Sequence, residues 1–356
     1  MQADDFIYEN GQVVGIEATD FILDENIQIK AKHTISAAGP WVDELRTKNK
    51  SMTSKHLHLT KGVHIVVPHE RFPVKQALYF DFPDKRMVFA IPRGKITYIG
   101  TTDTDYDGDK DDIRTKLEDV NYLIDGVNKA FPKLDLKVED VESSWAGVRP
   151  LIHEDGKSAS EISRKDEIFE SESGLLSIAG GKLTGYRKMS EKILDRLFKR
   201  LAETEDREKA KCKTETIDLD GGAFKNAKAV KKYRKELKQQ LRTMGFKSYD
   251  AFYLVSNYGK ASDEIIAGMN AFDNEDISIR MIRSELQYCI ENELVYRLQD
   301  FFIRRTGRLY FDIHSIEHTF EAILADLISC FKWSEERIAH EKEAMDYEIK
   351  KVSIFE

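Results

Sequence analysis

Residues Leu175–Leu197, LLSIAGGKLTGYRKMSEKILDRL, constrain the fold of this chain more than any other stretch. Leu175, Leu176, Ile178 and Ala179 form a short apolar run that reads as a buried strand. Tyr186, Met189, Ile193, Leu194 and Leu197 then recur at helical spacing. Gly180 and Gly181 stand between, and glycine lets a backbone approach a neighbour closely. A strand that breaks through two glycines into a helix presents unpaired N–H groups and the positive end of the helix dipole. That geometry suits a phosphate, or a cofactor ring that becomes electron-rich on reduction. An ordinary strand–turn–helix joint has the same pattern, and the residues alone leave both readings open.

A second joint of this kind lies near the start. His33–Ala38 reads as a buried strand ending at Gly39, and Pro40 suits the first turn of a helix through about Thr47 because its missing N–H is not needed there. Before it, Phe6–Tyr8 and Val13–Ala18 flank Asn10-Gly11, a pair that accepts a hairpin turn, and Ile27–Ala31 adds a strand. Residues 55–150 are mostly strands, including Gly62–Val67 and a hairpin of Met87–Ile91 with Ile96–Gly100. Leu117–Ala130 has helical spacing, Val141–Val148 is extended, and 151–174 reads as a polar connection. The charged stretch 201–213 reads as a linker, and helical periodicity continues from about Asn226 to the end.

The chain has 356 residues, 41% hydrophobic and 33% charged, enough for a substantial core. A net charge of −8 argues against a dedicated nucleic-acid binder. No apolar run approaches the ~18 residues of a membrane-spanning helix, and the acidic start MQADDFIYEN is not a secretory signal. Cys212, Cys289 and Cys330 are scattered and form no CxxC pair, so a reducing cytoplasmic compartment is expected.

Several motifs fail on inspection. Asp103–Asp109 (DTDYDGD) imitates a calcium loop, but its twelfth position is Arg114 where a carboxylate is required. Gly156-Lys157-Ser158 imitates the end of a phosphate loop, but Leu151 stands where the earlier glycine belongs. His56 and His58 would share a strand face, with no nearby Cys or carboxylate to complete a metal site, and none is expected. His64 sits opposite in face to Val63, Ile65 and Val67, as a catalytic or a structural imidazole would. Arg149 closes an apolar strand beside Trp145, where its guanidinium can clamp an anion or pair with a surface acid. Lys182 adds a point charge at the positive helix start, or is simply solvated. The basic run from Lys225 to Arg242 reads as a solvated face, with contact to an anionic membrane surface as the alternative.

Five stretches carry a resemblance: Ala37-Ala38-Gly39-Pro40-Trp41-Val42; Thr60 to Val67 (TKGVHIVV); Tyr98-Ile99-Gly100-Thr101-Thr102-Asp103; Trp145-Ala146-Gly147-Val148-Arg149-Pro150-Leu151; and Ala179 to Arg187 (AGGKLTGYR). With Glu291–Arg305 in the helical part, they resemble, in order and over nearly the whole chain, the FAD-dependent glycerol-3-phosphate dehydrogenases that pass electrons to quinone. The resemblance implies a mixed α/β (α+β) fold: an FAD-binding domain of the glutathione-reductase/D-amino-acid-oxidase type, a β-rich substrate domain and an all-α C-terminal domain. The boundaries expected are 1–50 and 175–200 for the FAD-binding part, 51–174 for the substrate domain, 201–213 for the linker and 214–356 for the helices. It implies that Gly39, Gly180, Gly181, Lys182, Leu183 and Thr184 line FAD. Arg149, Lys182, Arg164 and Lys61 would hold glycerol 3-phosphate, and His64 would take the proton of the reacting hydroxyl while Arg149 steadies the alkoxide.

The family's GxGxxG turn and its N-terminal Arg-Tyr substrate contacts are absent from this sequence. The expectation is therefore a C-terminal portion that alone binds FAD weakly, with the FAD-binding domain incomplete. Only 32 residues separate Arg149 from Lys182, which favours a quinone-linked dehydrogenase over an oxygen-reducing oxidase with its long insertion. A non-catalytic interaction module is the remaining alternative. A cytoplasmic enzyme, peripheral on the inner face of the membrane and self-associating as a homodimer, completes the expectation.

Overall fold

The structure, a computed structural model, describes residues 1–155, 165–204, 210–219, 221–272 and 275–356. Arg164, the Gly156-Lys157-Ser158 motif and part of the expected linker lie outside the described residues. In chain order the strands are β1 (Gln2–Glu9), β2 (Gln12–Asp20), β3 (Glu25–Lys30), β4 (Ile35–Ser36), β5 (Lys55–Pro68), β6 (Leu78–Asp81), β7 (Met87–Arg93), β8 (Ile96–Gly100), β9 (Thr104–Asp105), β10 (Ser143–Glu154), β11 (Asp166–Glu170) and β12 (Leu176–Gly180). The helices are α1 (Val42–Lys48), α2 (Leu117–Ala130), α3 (Tyr186–Thr204), α4 (Ala227–Thr243), α5 (Ser248–Tyr258), α6 (Ser262–Gly268), α7 (Ile277–Glu293), α8 (Arg308–Phe311), α9 (His314–Phe331) and α10 (Glu335–Ser353).

These elements divide into two compact units. The first holds Met1–Gly62, Asp103–Ile113 and Gly147–Ile217; the second holds Val63–Thr102, Arg114–Ala146 and Asp218–Glu356. The division cuts β5 after Gly62 and β10 after Ala146.

In the first unit, β1, β2 and β3 form an antiparallel meander. Asn10 and Gly11 both have positive φ, 51° and 78°, as the expected two-residue turn requires. A second sheet runs β11-β12-β4, with β12 antiparallel to β11 and parallel to β4. Ile193 of α3 packs on Leu176 and Ile178 of this sheet, while Val42 of α1 packs with Ala179 and Ile152.

Three expectations need correction here. The strand expected over His33–Ala38 shrinks to β4, because only Ile35 and Ser36 find register partners on β12 before Gly39, at φ 55°, turns the chain into a short 3₁₀ turn. The connection expected over 151–174 holds the end of β10 and all of β11. Acids hid β11 from the hydrophobic pattern: Asp166, Glu167 and Glu170 flank Ile168 and Phe169, and they pair with Lys192, Lys55 and Arg196 at 2.7, 2.9 and 2.9 Å. Thirdly, α3 begins at Tyr186, after a 3₁₀ turn over Leu183–Gly185, so the helix start lies a turn beyond the glycines.

In the second unit, β8, β7 and β6 follow β5 in antiparallel order. The helix α2 lays Val120, Leu123, Ile124 and Val127 against Val63, Ile65 and Val67. Those positions recur at i, i+3, i+4 and i+7, as the sequence spacing requires. The remaining helices enclose their own core around Leu241, Leu254, Met269, Leu286, Phe301 and Phe302. Their starts are capped: the Ala229 N–H donates to Asn226 Oδ1, and the Arg337 N–H to Ser334 Oγ.

Two carboxylates are buried in that core. Glu285, fully buried, accepts hydrogen bonds from Tyr253 and Tyr258, both at 2.6 Å, and from Arg308 Nη2 at 2.8 Å. Burial pushes both tyrosine hydroxyls well above their usual range, so they stay protonated and donate. Glu341 is held in the same way by Arg297, Arg337 and the Leu298 N–H. Removing one member of such a set leaves a buried charge uncompensated, so Glu285→Ala is expected to cost about 3–5 kcal/mol in a denaturant melt, and a loss under about 1 kcal/mol would contradict this role.

Candidate functional site

The glycine turn is built as follows. At the end of β12, Gly180 and Gly181 have φ of 77° and 75°, a region that residues with a Cβ adopt only at a cost. The space beside them is taken by the protein itself. A Cβ on Gly180 would lie 2.6 Å from the Lys165 carbonyl oxygen, and one on Gly181 would lie 2.8 Å from Met189 Sδ. These glycines therefore serve the turn, whereas Gly39 and Gly185 have open space where a Cβ would project.

Beside the turn lies a cleft of ≈ 650 Å³, whose walls include Ile35, Ala37, Ile178, Gly180, Gly181 and Lys182. Val148 and Pro150 of β10 contribute to it, as do Leu183, Tyr186, Met189 and Ile193 after the turn. The lining is mainly apolar, and two of its side chains are strikingly uncovered for their type: Leu183 is 91% exposed and Tyr186 61%. An apolar cleft of this size with a few polar groups at its rim suits a flat organic ligand.

Arg149 lies between Val148 and Pro150, and alternation along a strand turns it to the other face of β10. There its guanidinium lies across Gly62 of β5; a Cβ on Gly62 would stand 2.7 Å from Cζ and 2.8 Å from Nη1. Nη1 also pairs with Asp103 Oδ1 at 3.2 Å, so the acid-paired arrangement is the one present. Asp103 thus belongs to an arginine pair, and Thr104–Asp105 is a strand on β5. Lys61, next to Gly62, is only 6% exposed, while Lys182 and Thr184 are exposed on the turn.

The structure brings Gly180, Gly181, Lys182 and Leu183 into one cleft, with Thr184 in the turn beside them. It places Arg149 and Lys61 about Gly62, and Gly39 at the turn before α1. His64 belongs to the second unit. Its register partner is Gly100, and its ring stacks on Trp145 with centroids 4.8 Å apart and planes 12° from parallel. Trp145 had been read only as a neighbour of Arg149; the signal that could have found its role is the aromatic in the second place of the SWAGVRP stretch, which pairing of β10 with β5 brings beside His64.

The histidines expected to share a face part company. His58 bonds Asp105 at 2.9 Å, whereas His56 faces Asp155 at 3.4 Å and the ring of His153 at 5.1 Å. A carboxylate does stand nearby, contrary to expectation, because β10 extends past Val148 and carries His153 and Asp155 to the start of β5. Ligand atoms of His56, His153 and Asp155 lie within 4.8 Å of one another, without an ion.

Comparison with known proteins gives a consistent result. The sequence profile described as FAD dependent oxidoreductase matches residues 6–187, and that described as C-terminal domain of alpha-glycerophosphate oxidase matches 212–338. The chain is 44% identical over 334 residues to the aerobic glycerol-3-phosphate dehydrogenase of Staphylococcus haemolyticus, covering 93% of this chain and 60% of that protein. It is 43% identical over 336 residues to the enzyme of the same name from Bacillus subtilis, with the same coverage. The chain thus spans about 60% of the length of these curated relatives. A crystal structure of the glycerol-3-phosphate dehydrogenase from Bacillus halodurans, complexed with FAD, superposes with a TM-score of 0.88 at 41% identity, covering all of this chain and 70% of that one. The mixed fold with a helical C-terminal part is the one expected from the sequence.

The turn geometry yields a direct comparison of two nearby glycines. Gly180→Ala is expected to destabilise the protein by about 1–2 kcal/mol or more, from positive φ and collision with Lys165. Gly185→Ala, with open space and no positive φ, should stay within about 0.5 kcal/mol. Thermal melts of the two variants check this, and equal effects would contradict the account.

Proposed function

The chain belongs to the FAD dependent oxidoreductase family, and from that premise we propose that it carries the flavin-ring and substrate side of an enzyme oxidising sn-glycerol 3-phosphate to dihydroxyacetone phosphate. The observation that carries the reading is the cleft at the Gly180–Gly181 turn, apolar along its length and open to solvent at Leu183 and Tyr186. A flat ring with one polar edge fits such a cleft, its apolar faces on Leu183 and Ile35 and its polar edge at the backbone of Lys182–Thr184. The names of the relatives supply the substrate.

When bound, FAD supplies the acceptor for the hydride that leaves C2 of the alcohol. The residues of this chain manage the proton and the charge. His64 takes the hydroxyl proton, and its ring is held for that task by Trp145 and Gly100. Arg149 steadies the oxygen that becomes negative, with a planar fork already laid flat on Gly62. Its bond to the half-exposed Asp103 is weak enough for an anionic substrate to displace. Lys182, exposed on the turn, brings a mobile positive charge to the phosphate, with Lys61 and Arg164 in support. Gly39, Gly180, Gly181, Leu183 and Thr184 shape the flavin side.

Electrons pass to a quinone in this reading, in keeping with the dehydrogenase names and the 32-residue span between Arg149 and Lys182. A second reading, transfer to dioxygen, draws on the oxidase name of the C-terminal profile; peroxide release in place of quinone reduction tells them apart. Among the described residues no helix is long and apolar enough to cross a membrane. The exposed lysines at 228, 231, 232 and 235 on α4 support peripheral contact with an anionic surface.

Arg149→Lys keeps the charge and loses the fork. It is expected to lower kcat/KM for glycerol 3-phosphate by about 10²-fold. Unchanged kinetics in that variant would overturn the role of Arg149, and failure of glycerol 3-phosphate to act as substrate for the flavin-loaded protein would overturn the function.

A further inference from the structure

We propose that Trp145 is a positioning residue for His64, and that the helices of the second unit hold it there. This rests on the reading of His64 as proton acceptor. In the strand order, β5 lies between β10 and β8, so Trp145 and Gly100 flank His64 from opposite sides. On one side the indole stacks on the imidazole, 4.8 Å between centroids at 12°. On the other, a Cβ on Gly100 would collide with His64 Cδ2 and reach Cγ and Nε2 at 2.7 Å. The imidazole therefore sits in a slot that fixes its plane and the directions of both nitrogens. Neither Trp145 nor His64 is fully buried, although Val63 and Ile65 beside them are. The stack thus contributes less by burying surface than by setting an orientation.

Trp145 is in turn clamped by helical residues. Its ring meets Phe311 edge-on at 5.6 Å and Tyr310 at 5.8 Å, both from α8. The guanidinium of Arg93 covers Phe311 at 4.1 Å. Just before Trp145, Ser143 Oγ donates to the Tyr310 carbonyl at 2.7 Å and Ser144 Oγ to the Val352 carbonyl at 3.1 Å. The short α8 is itself anchored to α7 by the buried pair of Arg308 with Glu285. A continuous set of contacts therefore runs from α7 through α8 and Trp145 to the imidazole. It gives the all-helical part a role in the chemistry without any residue of its own at the reacting atoms.

The experiment combines spectra and kinetics. In proton NMR of this chain, the ring current of Trp145 should move the His64 imidazole protons upfield, and W145A should abolish that shift while F311A diminishes it. In the flavin-loaded protein, W145A should lower kcat at least ~10-fold with KM for glycerol 3-phosphate changed less than ~2-fold, and W145F should restore kcat to within ~3-fold. Imidazole protons that ignore W145A and F311A, or a W145A kcat equal to the parent's, would overturn the proposal. Should W145A not fold, F311A and W145F read the same shifts with the His64 slot intact. A His64→Gln protein with unchanged kcat would instead overturn the proton-acceptor reading, and is recognised by imidazole shifts in the parent that still respond to W145A.

Discussion

A strand residue can lay a broad side chain across the neighbouring strand only where that neighbour has no Cβ. Both candidate side chains of this protein depend on that constraint. The guanidinium of Arg149 rests on Gly62, and the imidazole of His64 rests on Gly100. Each glycine lies in a strand interior, where glycine is unfavourable by roughly 0.5–1 kcal/mol relative to alanine. What the sheet gains in return is a flat, rigid support for a cation or a ring, set on hydrogen-bonded backbone and not on a loop. Side chains held in this way have little freedom left to lose when a ligand arrives.

The helical part shows a different use of polar groups. Glu285 and Glu341 are buried and fully bonded to arginines and tyrosines. Buried ion pairs of this kind add little net stability over an apolar equivalent, but they penalise every arrangement that leaves a charge alone. In this protein they fix the position of α8, a helix of four residues that could not hold its own place. The aromatic residues at its end then have a defined relation to β10. Precision reaches the sheet from a core that has no polar surface facing it.

Much of this was legible in the sequence where local chemistry decides structure. The Asn10-Gly11 turn, the α2 helix with its apolar stripe, and the positive-φ glycines after β12 all follow from single residues or fixed spacings. The motifs also reported the family correctly. What escaped was set by partners distant in sequence. Strand β11 is masked by acids whose cations lie on α3 and β5. Gly62 and Gly100 look like ordinary strand residues until the neighbours lying over them are known. The meeting of His56 with His153 and Asp155 required knowing how far β10 extends. Nothing in the SWAGVRP stretch alone says that its tryptophan faces a histidine some eighty residues earlier.

The central claim is that this chain presents a ring-binding cleft and a hydroxyl-activating pair to a phosphorylated alcohol. It is tested most directly by anaerobic titration of the FAD-loaded protein, following the visible absorbance of the flavin. The account predicts that glycerol 3-phosphate bleaches the flavin stoichiometrically while unphosphorylated glycerol leaves it coloured. A flavin that stays oxidised with glycerol 3-phosphate, or is bleached equally by both alcohols, would contradict it.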